Sequence, residues 1–269
     1  MYDSILIKLL TDFAHQYSKA KYGEEYLHAI YESDNAVIFK ETSFNFHPKS
    51  WLEIKRNQSY FSRTTKIHSH FKVASPPIYE MQSSNSSDAL AMNIFCYPDF
   101  IKWTGMKTLF NISNFEKIEF GFKPKINKRE NGNNKTDATE VDIYINDSIF
   151  CECKLTEHGF TNKDKVSVEN YVAFSKVFHT DKLMQDKSQY HNYQLIRNIL
   201  AAEQHNCKFF LICDMRRPDL AKSFYQTIRC IKDEYAKLRT NCEIVYWQDI
   251  ANKAGKELKE FLKEKYGII

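Results

Sequence analysis

No stretch of the chain is apolar for long enough to span a bilayer. Its first residues, MYDSILIKLL, lack the basic start and small-residue cleavage site of a signal peptide. Those two absences lead us to expect a cytoplasmic protein with no membrane partner. The seven cysteines, an odd number, include no CxxC pair. Cys151 and Cys153, two apart on one strand face, are too few for a zinc site. We therefore expect reduced, mostly buried thiols and no structural metal held by them. No internal repeat appears. Strong charge is lacking too: a net +4 allows an anionic partner without arguing for one, so local clustering has to decide.

What remains is ordinary for a globular chain. Hydrophobic residues make up 43% and charged residues 27% of 269 positions, enough for one large domain or a core domain with an extension. Leu6, Leu9, Leu10, Phe13 and Tyr17 recur at helical spacing over about 4–21, before Gly23, and a short helix is expected over Glu24 to Tyr31. Ser50 with Glu53 three residues on reads as a capping box. The segment KRNQSYFSRTTKIHSHFK interleaves Lys55, Arg56, Arg63, Lys66, His68, His70 and Lys72 with Tyr60, Phe61 and Phe71. It suits nucleic-acid contact as well as it suits a solvated loop with anchoring aromatics.

Ser86 or Ser87 caps an expected helix SSDALAMNIF, and another helix is expected from Phe100 to Phe110. KIEFGF alternates as a strand, with Glu119 opposite Ile118, Phe120 and Phe122. The polar run KPKINKRENGNNK follows, with Lys123, Lys125, Lys128, Arg129 and Lys135 against Glu130, and reads as a mobile loop able to meet phosphate. Beyond it, helices are expected over Gln185 to His205, from Pro218 to about Arg239, and through Ile250, Ala254, Leu258, Phe261 and Leu262. Strands are expected at Lys208 to Asp214 and Glu243 to Trp247. The order implies a mixed sheet with helices on both sides.

The informative stretch is TEVDIYINDSIFCECKLTE, two strands and a tight turn. A two-residue turn at Asn146-Asp147 would set Val141 against Glu152 and mix apolar with charged positions. A three-residue loop, Asn146-Asp147-Ser148, pairs Ile145 with Ile149, Ile143 with Cys151 and Asp142 with Glu152. Only that register leaves one apolar face and one face bearing Glu140, Asp142, Glu152 and Lys154. Carboxylates facing each other repel unless a cation offsets them, and Mg²⁺ prefers carboxylate oxygen and water. Asp142 and Glu152 are thus candidate metal ligands, assisted by the Cys153 carbonyl. Lys154 is placed to orient or deprotonate a water, although a base role needs its pKa to fall.

The pattern of Asp142, nine residues, then Glu152-Cys153-Lys154 resembles the PD-(D/E)xK nuclease superfamily. SSDALAMNIF, IEFGFKP, TEVDIYI, CECKLTEHGF and YQLIRN resemble in order the blocks of its restriction-endonuclease-like branch, over roughly Glu80 to Asp214. The resemblance implies an α/β fold with an αβββαβ core, Mg²⁺ (or Mn²⁺) dependence and hydrolysis of DNA. It implies Asp142, Glu152 and Lys154 as catalytic residues, Glu119 as an accessory acid, and Gln194 and Arg197 as supporting residues. Val141 stands where the superfamily has Pro, and Asp88 where the branch usually has Gln. The expected division is a helical or irregular extension over 1–79, contributing Arg63 and Lys66 to DNA contact, and a nuclease-like domain over 80–269. A homodimer and a cognate methyltransferase are the implied partners. A repair, recombination or mobile-element nuclease, or a non-catalytic binder on the same fold, are the alternatives.

Overall fold

The computed structural model describes residues 2–27, 35–68, 77–130 and 132–269. Helices in chain order are α1 (Tyr2–Tyr22), α2 (Pro48–Arg56), α3 (Gln58–Arg63), α4 (Ser87–Phe95), α5 (Thr104–Leu109) and α6 (Lys165–Glu169). They continue as α7 (Phe174–Val177), α8 (Tyr193–His205), α9 (Pro218–Ile228), α10 (Ala236–Thr240), α11 (Trp247–Lys253) and α12 (Lys256–Tyr266). Strands are β1 (Ile118–Phe122), β2 (Ile126–Glu130), β3 (Asn133–Asp137), β4 (Val141–Ile145), β5 (Ile149–Cys153), β6 (Lys163–Asp164), β7 (Gln189–Tyr190), β8 (Lys208–Cys213) and β9 (Cys242–Tyr246).

The chain forms two compact units, Met1–Asn114 with Tyr246–Ile269, and Phe115–Val245. The boundary expected between 79 and 80 falls inside the first. The physical reason is a buried polar knot that ties α4 and α12 to the N-terminal segments. Asn45 donates to the carbonyls of Met81 and Ser83, both at 2.8 Å. Asn93 of α4 accepts the His47 N–H at 2.6 Å and donates to the Asn45 carbonyl at 3.1 Å. Lys265 of α12, 0% exposed, donates from Nζ to the Asn45 side chain at 2.5 Å and lies 4.9 Å from the Phe39 ring centre.

Local chemistry sets the element ends. The apolar stripe of α1 buries Leu6, Leu10 and Ala14, while Leu9 stays exposed. The helix expected from Glu24 is a turn as far as Tyr26, with Leu27 bridged to Phe39; its residues 28–31 lie outside the described residues, as do His70, Phe71 and Lys72. His47, not Ser50, caps α2, its ring accepting from Lys49 N–H; Ser50 donates to the Asn93 carbonyl instead. Ser86 caps α4 as expected. The C-terminal helix breaks at Ala254, which turns extended before Gly255 starts α12. Gly267 ends α12 with φ +58°, and a Cβ there would lie 2.3 Å from Phe13.

In the second unit the five-stranded sheet runs β1-β4-β5-β8-β9. β1, β4 and β5 are antiparallel neighbours, and β5 pairs with β8 in parallel. β5 is buried at every position. α8 lies over the face bearing Phe150 and Glu152, with His205 edge-on to Phe150 at 5.7 Å.

Three expectations need correction here. The run after β1 is not a loop but the hairpin β2–β3, invisible to apolar periodicity because nearly every side chain is polar. It is anchored through Ile126, 1% exposed, and through Lys128, 3.4 Å from Asp137 and 4.2 Å from the Tyr171 ring centre. The helix expected from Gln185 begins only at Tyr193. Before it, Asp186 accepts N–H groups of Ser188 and Gln189, and β7 pairs with β6. The helix from Pro218 stops at Ile228, because Ile231 bridges to Phe178 and holds the chain out of helical conformation.

Burial pushes the Lys265 amine well below its ordinary pKa, with Lys21 acting in the same sense. The unfolded chain then holds a proton that the folded protein does not, so this group's contribution to stability rises with pH below the unfolded value. Lys265→Met, which keeps the volume and removes the charge, should be neutral to stabilising by about 1–2 kcal/mol and flatten that pH dependence. Lys265→Ala should cost roughly 2–3 kcal/mol through the cavity it leaves. Urea denaturation between pH 7 and 10 reads both.

Candidate active site

The hairpin β4–β5 closes through Asn146 and Asp147, both left-handed at φ 52° and 51°. Pairs Ile145–Ile149, Tyr144–Phe150 and Ile143–Cys151 establish the three-residue loop. Continued one step, that register sets Asp142 opposite Glu152. The Asp142 carboxylate accepts the Cys153 N–H at 2.6 Å, which fixes it across the strand pair.

The charged face is not open to solvent as a sheet face would be. Glu152 is 2% and Lys154 6% exposed. Oε1 of Glu152 lies 2.9 Å from Lys154 Nζ and accepts from Gln194 Nε2 at 3.0 Å; its Oε2 accepts from Asn198 Nδ2 at 2.8 Å. Lys154 Nζ also donates to Gln194 Oε1 at 3.2 Å, closing a ring of three side chains. Arg197, 1% exposed, donates to Asn198 Oδ1 and to the Glu140 carbonyl, so the Asn198 amide has its nitrogen turned to Glu152. Burying a charge is tolerable only with such pairing.

Backbone strain positions the helix that supplies the amides. Asn192 is left-handed at the start of α8, and the carbonyls of Thr161 and Phe160 accept the N–H groups of Tyr193 and Gln194. Thr161 itself sits at φ 42°, unusual for a β-branched residue and costing on the order of 1–3 kcal/mol. After Lys154 the chain is held by Arg217, 1% exposed, which donates to the Glu157 carbonyl at 2.9 Å and pairs with Asp219. Lys154, Glu157, Phe160 and Gln194 line a cleft of about 570 Å³.

Burial lowers the Lys154 pKa, but the nearby carboxylates of Glu152, Glu157 and Asp142 outweigh it and hold the amine above its ordinary value. The fall in pKa that a base role needs is not seen while the neighbouring carboxylates carry no cation.

The remaining expected residues scatter. Glu119 pairs along the ladder with Tyr144, not with Asp142, and its carboxylate meets Lys117 at 2.7 Å toward the turn end of the hairpin. Gly121, left-handed at φ 67°, stands in register with Asp142 instead. Lys123, Lys125 and Arg129 are exposed. Lys128 is turned onto Tyr171 and Asp137, and Lys135 meets Glu130 at 2.6 Å. In the first unit Arg63 pairs with Asp88 at 2.9 Å and Lys66 with Glu80 at 2.9 Å, which also gives Asp88 its role. Sequence reasoning missed Asn198, Glu157 and Arg217. Asn198 had a signal: it lies one helical turn after Gln194, on a helix otherwise buried with apolar residues.

Among the described residues no three His, Cys, Asp or Glu side chains gather as a metal cluster. The donors present are two carboxylates, Asp142 and Glu152, with the backbone of Cys153 between them, a set that fits a hard cation completing its shell with water and phosphate. The Cys153 sulfur does not belong to it. All seven cysteines are free and buried, and burial pushes the Cys213 and Cys242 thiols up to about 12.

The mixed five-stranded sheet with flanking helices is consistent with a restriction-endonuclease-like fold. The chain belongs to the family described as Restriction Endonuclease associating with ARP, whose model matches residues 12–267. That match takes in the N-terminal segment and the C-terminal helix, which the motif resemblance left outside. No curated protein and no solved structure matches the chain. Among the described residues no helix is long and apolar enough to cross a membrane.

Asn198→Leu, similar in size but unable to donate, should destabilise the protein by about 1.5–3 kcal/mol, because a buried carboxylate oxygen loses its partner. Urea denaturation of the two proteins measures it, and a difference below the scatter of the method would show that the Asn198 contact to Glu152 does not contribute to stability.

Proposed function

We propose that the protein is a Mg²⁺-dependent DNA endonuclease of restriction or other defence type. The observation behind this reading is the buried Glu152–Lys154 pair at the end of β5, with Lys154 lining a cleft and Asp142 across the hairpin. Buried ion pairs contribute little to stability against apolar replacements, so one kept beside a cleft reads as function.

In this reading Asp142 and Glu152 hold the metal, with the Cys153 carbonyl assisting and Mn²⁺ accepted by the same oxygens. Bound there, the ion would acidify a water and polarise the scissile phosphate. Lys154 offsets charge building on the phosphoryl oxygens and orients the attacking water. Gln194 fixes the Lys154 amine through Oε1 and the Glu152 carboxylate through Nε2, and Asn198 holds the other carboxylate oxygen. Lys123, Lys125 and Arg129, exposed along β2 and the segment before it, are the proposed phosphate contacts, with Lys135 able to leave Glu130 for DNA. Cutting both strands of a symmetric target would require a second copy of the chain.

Incubation with plasmid DNA and Mg²⁺ is the direct test. Cleavage is expected with the native protein and a loss of at least about 100-fold with Lys154→Ala or Glu152→Ala, both checked for folding. Tight DNA binding with no metal-dependent cleavage of any substrate would end the enzyme reading. Cleavage blocked by methylating the target would favour restriction over repair.

A further inference from the structure

We infer that the first unit carries a pocket for a single unpaired nucleobase of DNA, walled by Trp51, Phe61 and Tyr79. The three rings come from separate segments, α2, α3 and the strand-like stretch before α4, and line one cavity of about 400 Å³. This volume lies within the range of small-ligand pockets. Each wall is rigidly backed. Trp51 leans on Phe46, itself 1% exposed, at 5.2 Å and faces Phe61 at 6.1 Å with the planes 54° apart. α3 is capped by Asn57, whose side chain accepts the N–H groups of Ser59 and Tyr60. Tyr79 is held by an antiparallel bridge to Ile67 and by the Gln82 amide oxygen, which accepts its N–H at 2.7 Å. Lys40, Glu41 and Ser43 also line the cavity and carry donors and acceptors that could pair with the rim of a base.

The occupant follows from this chemistry. Aromatic rings lining the cavity together with hydrogen-bonding groups match a base, which is planar, apolar on its faces and polar at its rim. An aliphatic side chain from a protein partner would leave the hydrogen-bonding groups unused. The pocket also explains the aromatic half of the basic and aromatic segment around Phe61, which the active site does not use. From the proposed function this inference takes only that DNA is the partner, and it needs no cleavage chemistry.

The test uses the full chain carrying Lys154→Ala, so that no cleavage intervenes. Two duplexes are compared, one fully paired and one with a single unpaired 2-aminopurine. Stacking in the pocket should quench the 2-aminopurine and tighten binding of the second duplex by about tenfold or more. Phe61→Leu, which keeps bulk and removes the π-face, and Trp51→Leu should each abolish the quench and the preference while leaving the melting temperature within a few degrees. Equal affinity for both duplexes, or a quench that survives both substitutions, would overturn the pocket. Neither outcome bears on the Mg²⁺ cleavage test, so the two ideas fail separately.

Discussion

Glu152 and Lys154 cannot both be buried on β5 unless their charges are met inside the protein, and much of the second unit is arranged to meet them. The pair itself supplies one contact. The rest come from α8, whose first turn carries Gln194 and whose second carries Asn198. For those amides to arrive, α8 must start at Tyr193 and no earlier. The left-handed Asn192 and the strained Thr161 bring this about. The backbone cost there is spread over a packed unit, which is how strain persists at functional positions.

The same constraint explains why the Lys154 pKa is raised. A lone buried lysine loses its proton readily, as the low pKa of Lys265 in the first unit illustrates. Lys265 meets the Asn45 oxygens and aromatic rings, with the Lys21 charge acting against its own. Lys154 has three carboxylates nearby, and they reverse the sign of the shift. Equal burial of one residue type thus gives opposite chemistry, decided by neighbours that the chain brings together from far apart in sequence.

The two units solve different problems. The second surrounds a polar cluster with a sheet and a helix. The first ties distant parts of the chain together through Asn45 and Asn93, whose amides satisfy backbone groups from several segments. Its aromatic residues divide accordingly. Phe39, Phe46 and Phe100 are core, whereas Trp51 and Phe61 remain partly accessible at a cavity.

The sequence by itself determined the hairpin. Its period-two alternation allows one register that separates apolar from charged positions, and the structure has that register. It also determined the apolar stripe of α1 and the buried run of β8, because periodicity and unbroken apolar stretches are local. What only tertiary structure decided was everything that depends on charge and amide partners across the chain. The polar hairpin β2–β3 has no apolar pattern to read; its anchors, Tyr171 and Asn170, lie more than thirty residues on. Glu119 stands in register with Tyr144, a position that ladder pairing and not motif order fixes. The hairpin shows which residues face each other; only the packed helix shows that Glu152 and Lys154 are buried and paired.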